Sequence, residues 1–327
     1  PGTETCLRVG GRVRVEAKTA NFADDGAWGD RESNDVSFRA RGYLYLDSRT
    51  NTEFGLLRTY TSLVGTQDTG NGGSADFSLF DAYIQWGGVT AGFATSNFDF
   101  FTGQTFMGVV TRNWSDLTQL QFAYTAAFGN GFSATVALED ATLREGDNEY
   151  AGQKWPDLVA NLRVDQGWGS AKVMGALHNV RPLDASLDGS VGFAVGGGVI
   201  INLPMLSADS NIAFQAQYAD GALSYIGGGD YNDFNSSNGN TSTGYSLSGG
   251  IYHQATATIG LALDGSYMDL DLSGADDVTR YAIDGSVQWE PVSGFAIGAD
   301  MGYANTDTDG SGDQDDIRAG IRLQRTF

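Results

Sequence analysis

The chain has 327 residues with 46 Gly, 12% aromatic side chains and only 5 Pro, long for one ordinary globular domain and natural for one large all-β barrel. Its formal charge of −21 speaks against a nucleic-acid partner, because neutralising phosphates takes clustered Lys and Arg that dominate a face. No apolar run approaches the roughly 20 residues of a membrane-spanning helix, which leaves spanning strands open, since each of these alternates and signals only weakly. Pro1 begins directly in a polar segment with no signal peptide, so the N-terminus is expected to be processed or trimmed. Cys6 is the only cysteine, too few for a disulfide framework or a thiolate metal site.

In chain order, alternation marks sixteen segments. Their cores are 7–18, 36–47, 53–64, 77–86, 89–94, 119–128, 132–139, 157–165, 170–178, 191–203, 211–218, 244–254, 257–268, 279–289, 294–304 and 315–327. Short links fall at Ser48–Thr52, Gly87–Gly88, Gly129–Gly131, Gln166–Gly169, Pro204–Ser210, Ala255–Thr256 and Glu290–Val292. Long links fall at Thr19–Asp35, Gly65–Ala75, Ser96–Thr118, Asp140–Pro156, Asn179–Ser190, Ala219–Thr243, Asp269–Val278 and Asn305–Gln314. Long and short connections taken in turn are what an even-stranded, up-and-down barrel requires, with its ends in different compartments. The expected fold is all-β: a single 16-stranded antiparallel transmembrane β-barrel over residues 1–327. Parity agrees, since Ile317, Ala319, Ile321, Leu323 and Phe327 share one face of the last segment and Arg318, Gly320, Arg322, Gln324 and Thr326 the other. Trp86, Phe128, Trp289 and Phe327 at segment ends suit interfacial girdles.

The third long link, 96–118, reads SNFDFFTGQTFMGVVTRNWSDLT. It alternates poorly and carries Phe98, Phe100, Phe101, Phe106 and Trp114 with Asp99 and Asp116. A loop that apolar rarely stands in water. Inside a large barrel it folds inward, buries its rings against the wall and narrows the bore. The other long links concentrate acid: Asp24, Asp25, Asp30 and Glu32; Glu145, Asp147 and Glu149; Asp276 and Asp277; Asp307, Asp309, Asp313, Asp315 and Asp316. They form either a solvated charged rim or a surface that bridges to lipopolysaccharide through divalent cations.

Several stretches resemble the general porin family of alphaproteobacteria: PGTETCLRVGGRVRVE at Pro1–Glu16, TEFGLLRTYT at Thr52–Thr61, FDAYIQWGGVTAGFATSNFDF at Phe80–Phe100, WPDLVANLRVDQGWGSAKVMGALHNV at Trp155–Val180 and VGGGVIINLPML at Val195–Leu206. The closing IRLQRTF belongs with them, a terminal aromatic being the assembly signal of such barrels. The resemblance implies a sixteen-stranded barrel in the bacterial outer membrane, a homotrimer among lipid and lipopolysaccharide, and passive uptake of small hydrophilic solutes past an inward-folded third loop. Family members usually carry a further upstream segment with another cysteine, so Cys6 is expected either to have lost its partner or to need none.

Arginine parity locates the chemistry. In the first segment Leu7, Val9, Val13 and Val15 face outward, leaving Arg8, Arg12, Arg14 and Lys18 to the lumen. In the second, Val36, Phe38, Ala40, Leu44 and Leu46 send Arg39 and Arg41 inward, and the last segment adds Arg318 and Arg322 next to the first on closure. Arg58 shares parity with Phe54, so only a bulge near Gly55 turns it inward with Phe54 out. An Arg facing lipid at mid-membrane costs roughly 2–4 kcal/mol, which drives these side chains to water. Opposite this basic wall, Asp81, Asp99 and Asp116 are expected to form an acidic row, and two facing rows set up a transverse field that favours polar solutes.

Other constellations are weaker. His178 and His253 lie on distant segments with no nucleophile motif around them, so catalysis is not expected, and Gly196–Gly198 sits inside a strand pattern. NTDTDGSGDQDD has the spacing of a calcium loop, with Asn305, Asp307, Asp309 and Asp316 as candidate ligands. Against it stand Asp where Glu is usual and flanking strands instead of helices, as in an acidic hairpin tip. No cofactor is required. The alternative to a general pore is a sugar-like, solute-specific channel in which the loop rings and Tyr43, Tyr45 and Tyr83 form a stacking track; a surface adhesin using the acidic loops is the third.

Overall fold

The computed structural model describes residues 5–24 and 26–327. Strands β1 (Thr5–Thr19), β2 (Val36–Thr52), β3 (Gly55–Asp68) and β4 (Asp76–Trp86) are followed by the short β5 (Val89–Thr95) and by β6 (Thr118–Gly129). The wall continues through β7 (Phe132–Glu139), β8 (Asp157–Gln166), β9 (Gly169–Val180), β10 (Ser190–Asn202) and β11 (Asn211–Asp220). A 3-10 turn at Leu223–Ile226 precedes β12 (Thr243–Gln254), β13 (Ile259–Asp271), β14 (Val278–Val292), β15 (Phe295–Thr308) and β16 (Gly312–Thr326). Each strand pairs antiparallel with its chain neighbours, and β16 closes on β1 through pairs such as Arg14–Gln324 and Ala17–Ile321. The expected sixteen-stranded barrel is therefore the fold, with every alternating segment in a strand.

Alternation sorts the two faces of the wall. Leu7, Val9, Phe38, Phe122, Leu162, Val173, Phe214 and Ile321 all stand exposed on the outside. A continuous apolar belt of that kind is stable only against lipid. Trp86, Phe128, Trp289 and Phe327 are likewise exposed. The Phe327 amide and carbonyl pair with Gly11, so the terminal ring lies over the β1 seam.

One connection departs from the expected sorting. Asn305–Gln314 is not a long loop, because β15 and β16 run on as a paired ladder to Thr308–Gly312. The link between β10 and β11 covers residues 203–210, within one residue of the expected bounds. No bulge forms at Gly55. Residues 53–54 are the turn itself, β3 starts after Phe54 at Gly55 with φ +106°, and β2 pairs with β3 without a register shift. Parity therefore never applied to Phe54.

The core lies within the cylinder. Phe98, Leu223, Tyr225, Ile226, Met268 and Leu270 form one buried cluster between inward loops and the inner wall. Burying each such side chain contributes about 1.5–3 kcal/mol. Loops 140–156 and 221–242, expected only as long links, supply much of it: Arg144, Tyr225 and Phe234 are among the most completely buried side chains.

Candidate constriction between the inward loop and the basic wall

A loop without regular structure carries backbone donors that must find partners when it is buried. The link between β5 and β6, residues 96–117, finds them on the inner wall. Asp264 of β13 accepts from the Gln104 and Thr105 amides at 2.6 and 2.7 Å. Asp300 of β15 takes Met107 and Gly108 at 2.7 and 3.1 Å. Asp284 of β14 takes Val109 and Val110 at 2.7 and 3.2 Å. Ser286 and Ser266 accept from Phe106 and Asn113 at 3.1 and 2.9 Å, and Gln215 accepts from Phe101 at 3.0 Å. Hydrogen bonds to ionised acceptors are among the strongest a backbone amide makes. Sequence reasoning missed these three carboxylates. Their signal was present: each sits at an inward position of its strand, twice as Asp-Gly-Ser, with no Arg or Lys beside it in the strand.

The apolar side of the loop packs where the wall has no side chains. A methyl group on Gly198 would meet the Phe100 ring at 2.6 Å, and one on Gly302 would meet Val110 at 2.6 Å. One on Gly320 would meet Met107 at 2.7 Å, and Gly298 lies under Phe106 in the same way. Phe98, Phe101 and Trp114 are buried, with Phe101 and Trp114 rings 5.2 Å apart. The rings therefore face the wall, and the loop half of the expected stacking track does not exist. Thr102, Thr105, Thr111, Arg112 and Asp116 line the opening on the other side.

Asp99 does not face the bore. It is 7% exposed and accepts from Ser115 Oγ, from the Leu117 amide at 2.7 Å and from Arg144 Nη2 at 3.2 Å. Its own carbonyl accepts from Lys172 Nζ at 2.7 Å. It clamps the two ends of the loop together. Arg144 also lies 4.1 Å over the Tyr225 ring, and Tyr225 donates to Asp157, which meets His178 Nδ1 at 2.9 Å. Above them Asp233 accepts from the Leu223 and Gly146 amides and from the Tyr150 hydroxyl. Burial pushes the Asp233 carboxyl above its ordinary value, and burial beside Asp233 pushes the Tyr150 phenol up as well. His178 is thus tied into a structural network, and His253 bonds Ser210 at 3.0 Å on a different strand.

The structure places the basic residues on the inner face of β1–β3 and β16. Glu16 is shared by Arg41 at 2.8 Å and by Arg322, which also donates to the Phe106 carbonyl. Asp47 is shared by Arg49 and Arg58 at 2.8 and 3.0 Å. Arg39 pairs with Asp68 at 2.6 Å, Arg318 with Asp316 at 2.7 Å, and Arg14 donates to Gln324. Arg12 lies 4.0 Å over the Tyr43 ring and, among the described residues, makes no ion pair or hydrogen bond. Arg8 lines the lower wall with Tyr45, Asp47 and Tyr60.

The expected acidic row is not assembled. Asp81 pairs with Ser62 of β3 and so belongs to the basic wall, not to the side opposite it. Only Asp116 faces the bore from the loop. The loop packed around it and the Asp99 carboxylate push its carboxyl above its ordinary value. The calcium-loop residues do not converge either. Asn305 and Asp307 lie in β15 paired with Asp315 and Asp313, whereas Asp316 pairs with Ala304 and so points to the other face. Among the described residues no group of three or more His, Cys, Asp or Glu could hold a metal. Asp25 and the first four residues of the PGTETC stretch lie outside the described residues.

A lipid-faced closed cylinder with a polar bore, narrowed by a loop that its own wall carboxylates hold, defines a transmembrane β-barrel of the outer-membrane type. The porin subfamily model matches residues 1–324. Porin Omp2b of Brucella abortus is 34% identical over 200 residues, covering 55% of this chain and 53% of that protein. The chain thus matches about half the length of these curated relatives. Among solved structures, the outer membrane channel DcaP of Acinetobacter baumannii superposes with a TM-score of 0.80 at 18% identity, covering 99% of this chain and 97% of the other. The anion-selective porin from Comamonas acidovorans gives 0.66 at 13% identity, covering 99% and 100%. The chain belongs to the porin subfamily, and its place is the bacterial outer membrane.

Proposed function

We propose that the chain forms a passive, non-catalytic, water-filled diffusion channel for small hydrophilic solutes and ions, working as a homotrimer. The observation that carries this reading is the asymmetric gap itself: a hydroxyl-bearing loop face opposite an arginine-lined wall. Field lines concentrate in a narrow wet gap with low-dielectric sides. Glu16 and Asp47 are each shared between two guanidiniums, Asp264, Asp284 and Asp300 are hidden behind the loop, and among the described residues Arg12 has no counter-ion, while Asp68 and Asp316 balance only Arg39 and Arg318. The constriction then favours anions over cations, although the chain as a whole is acidic. At the outer rim, Glu145, Asp147 and Glu149 are the kind of groups that bridge through divalent cations to lipopolysaccharide.

Planar-bilayer recording of the purified protein in a salt gradient tests this. We expect closures in groups of three and a reversal potential on the anion side. A cation-side potential overturns the assigned sign, single independent closures overturn the trimer, and no conductance overturns the channel.

A further inference from the structure

β4 contains a β-bulge. Ser62 pairs with Asp81 and Leu63 with Leu79, so Phe80 has no partner on β3. Its ring nevertheless lies 6.3 Å from that of Tyr43, edge to face at 84°. Tyr43 is on β2, one strand beyond β3, and strands lie about 4.8 Å apart. Rings that close across an intervening strand must stand on one face of the sheet, and Tyr43 faces the bore beneath Arg12. Phe80 therefore points into the water-filled lumen, where it is 50% exposed. Bulges re-aim side chains at functional positions. A pore that passes only small ions gains nothing from an exposed phenyl ring.

The surroundings name what the ring meets. Arg12, Arg14 and Arg41 lie 4.0, 5.8 and 6.0 Å from the Tyr43 ring centre, and the Tyr45 ring lies tilted 6.1 Å away from it. Asp81, next to Phe80 in the chain, repels a carboxylate from that side and leaves it to Arg12 and Arg14. A planar apolar body against Phe80 with one anionic group on the Arg12 and Arg14 guanidiniums uses the ring and the charge together. A neutral sugar can stack on the ring but brings no charge to Arg12 and Arg14, and a small aliphatic acid cannot reach both the ring and the guanidiniums.

We propose that Phe80, Tyr43, Arg12 and Arg14 form a weak subsite for aryl carboxylates on the basic wall of the constriction. This deepens the channel reading and rests on it. An aromatic contact of this kind is worth a factor of about 2–10 in affinity, enough to slow such a solute in transit without trapping it.

The test is current block by benzoate added at constant ionic strength to the full chain in a planar bilayer, with acetate as reference. Wild type should show saturable block by benzoate and none by acetate. F80A should raise the half-blocking benzoate concentration about fivefold, with F80Y restoring it, and R12Q should raise it as well. The half-blocking benzoate concentration is the readout and the open-channel current in acetate the control, since a general change in bore width alters both. If benzoate passes like acetate through a conducting wild-type channel, the subsite is overturned and the channel stands. If benzoate blocks F80A at the same concentration as wild type, Phe80 is not part of the subsite and the proposal fails. A folded barrel that conducts nothing removes the channel reading, and this one with it.

Discussion

The wall under the loop and the bare wall opposite it use the same residue types to opposite ends. On β13–β15, Asp264, Asp284 and Asp300 point inward and each takes two loop amides, so their charge holds backbone in place and is screened from the bore. On β1–β3 and β16 the inward carboxylates Glu16 and Asp47 are shared by pairs of arginines, and Arg12 beside them makes no ion pair among the described residues. An inward charge thus shapes selectivity only where nothing from the chain covers it. Burial of the acids behind a loop, more than the arginines themselves, makes the gap basic.

The strongest way to break this contrast is to take the cover away. Deleting Phe100–Val110 should raise single-channel conductance and, because it bares Asp264, Asp284 and Asp300, swing the reversal potential toward cations. A rise in conductance with unchanged selectivity would mean those carboxylates are not what the loop hides. Next in size, replacing Arg12, Arg39 and Arg41 together with Gln should move the reversal potential to the cation side at intact conductance; an unchanged potential would show that the bare wall does not set the field.

The fit between loop and wall is tested by Gly298→Val, which drives side-chain atoms into Phe106. Overpacking of this sort costs about 1–3 kcal/mol, read as a lower temperature at which the folded band is lost in heat-modifiable gel migration. Smallest is the effect of Asp116. Its carboxyl lies above the ordinary value, so it takes up a proton earlier than a free Asp as pH falls. The loop then loses its bore-facing negative charge and anion preference rises on acidification. D116N should abolish that pH dependence and show the low-pH selectivity throughout.

Much of this architecture is legible from period alone. A two-residue repeat broken by turns predicts sixteen strands, and the cost of Arg in lipid sends Arg12, Arg14, Arg39 and Arg41 to the lumen, where the structure puts them. The loop 96–118 announces its burial through its rings. Less legible is which way a carboxylate in a loop turns: Asp99 and Asp116 look alike in sequence, yet one is consumed by Arg144 and a backbone amide and the other meets the bore. Arg144 comes from a different loop, so local sequence could not announce the pairing.

Local chemistry therefore determined the strand count, the lipid-facing residues and the cationic arc, because each follows from alternation and from what hydrocarbon excludes. Tertiary structure alone decided the partners. Simple parity groups Phe80 with Ala82 and Ile84 on the lipid side, and one extra residue between Leu63 and Ser62 pairings turns it into the bore. Register is a property of two strands together, and the covering of Asp264, Asp284 and Asp300 belongs to segments more than a hundred residues away in the chain.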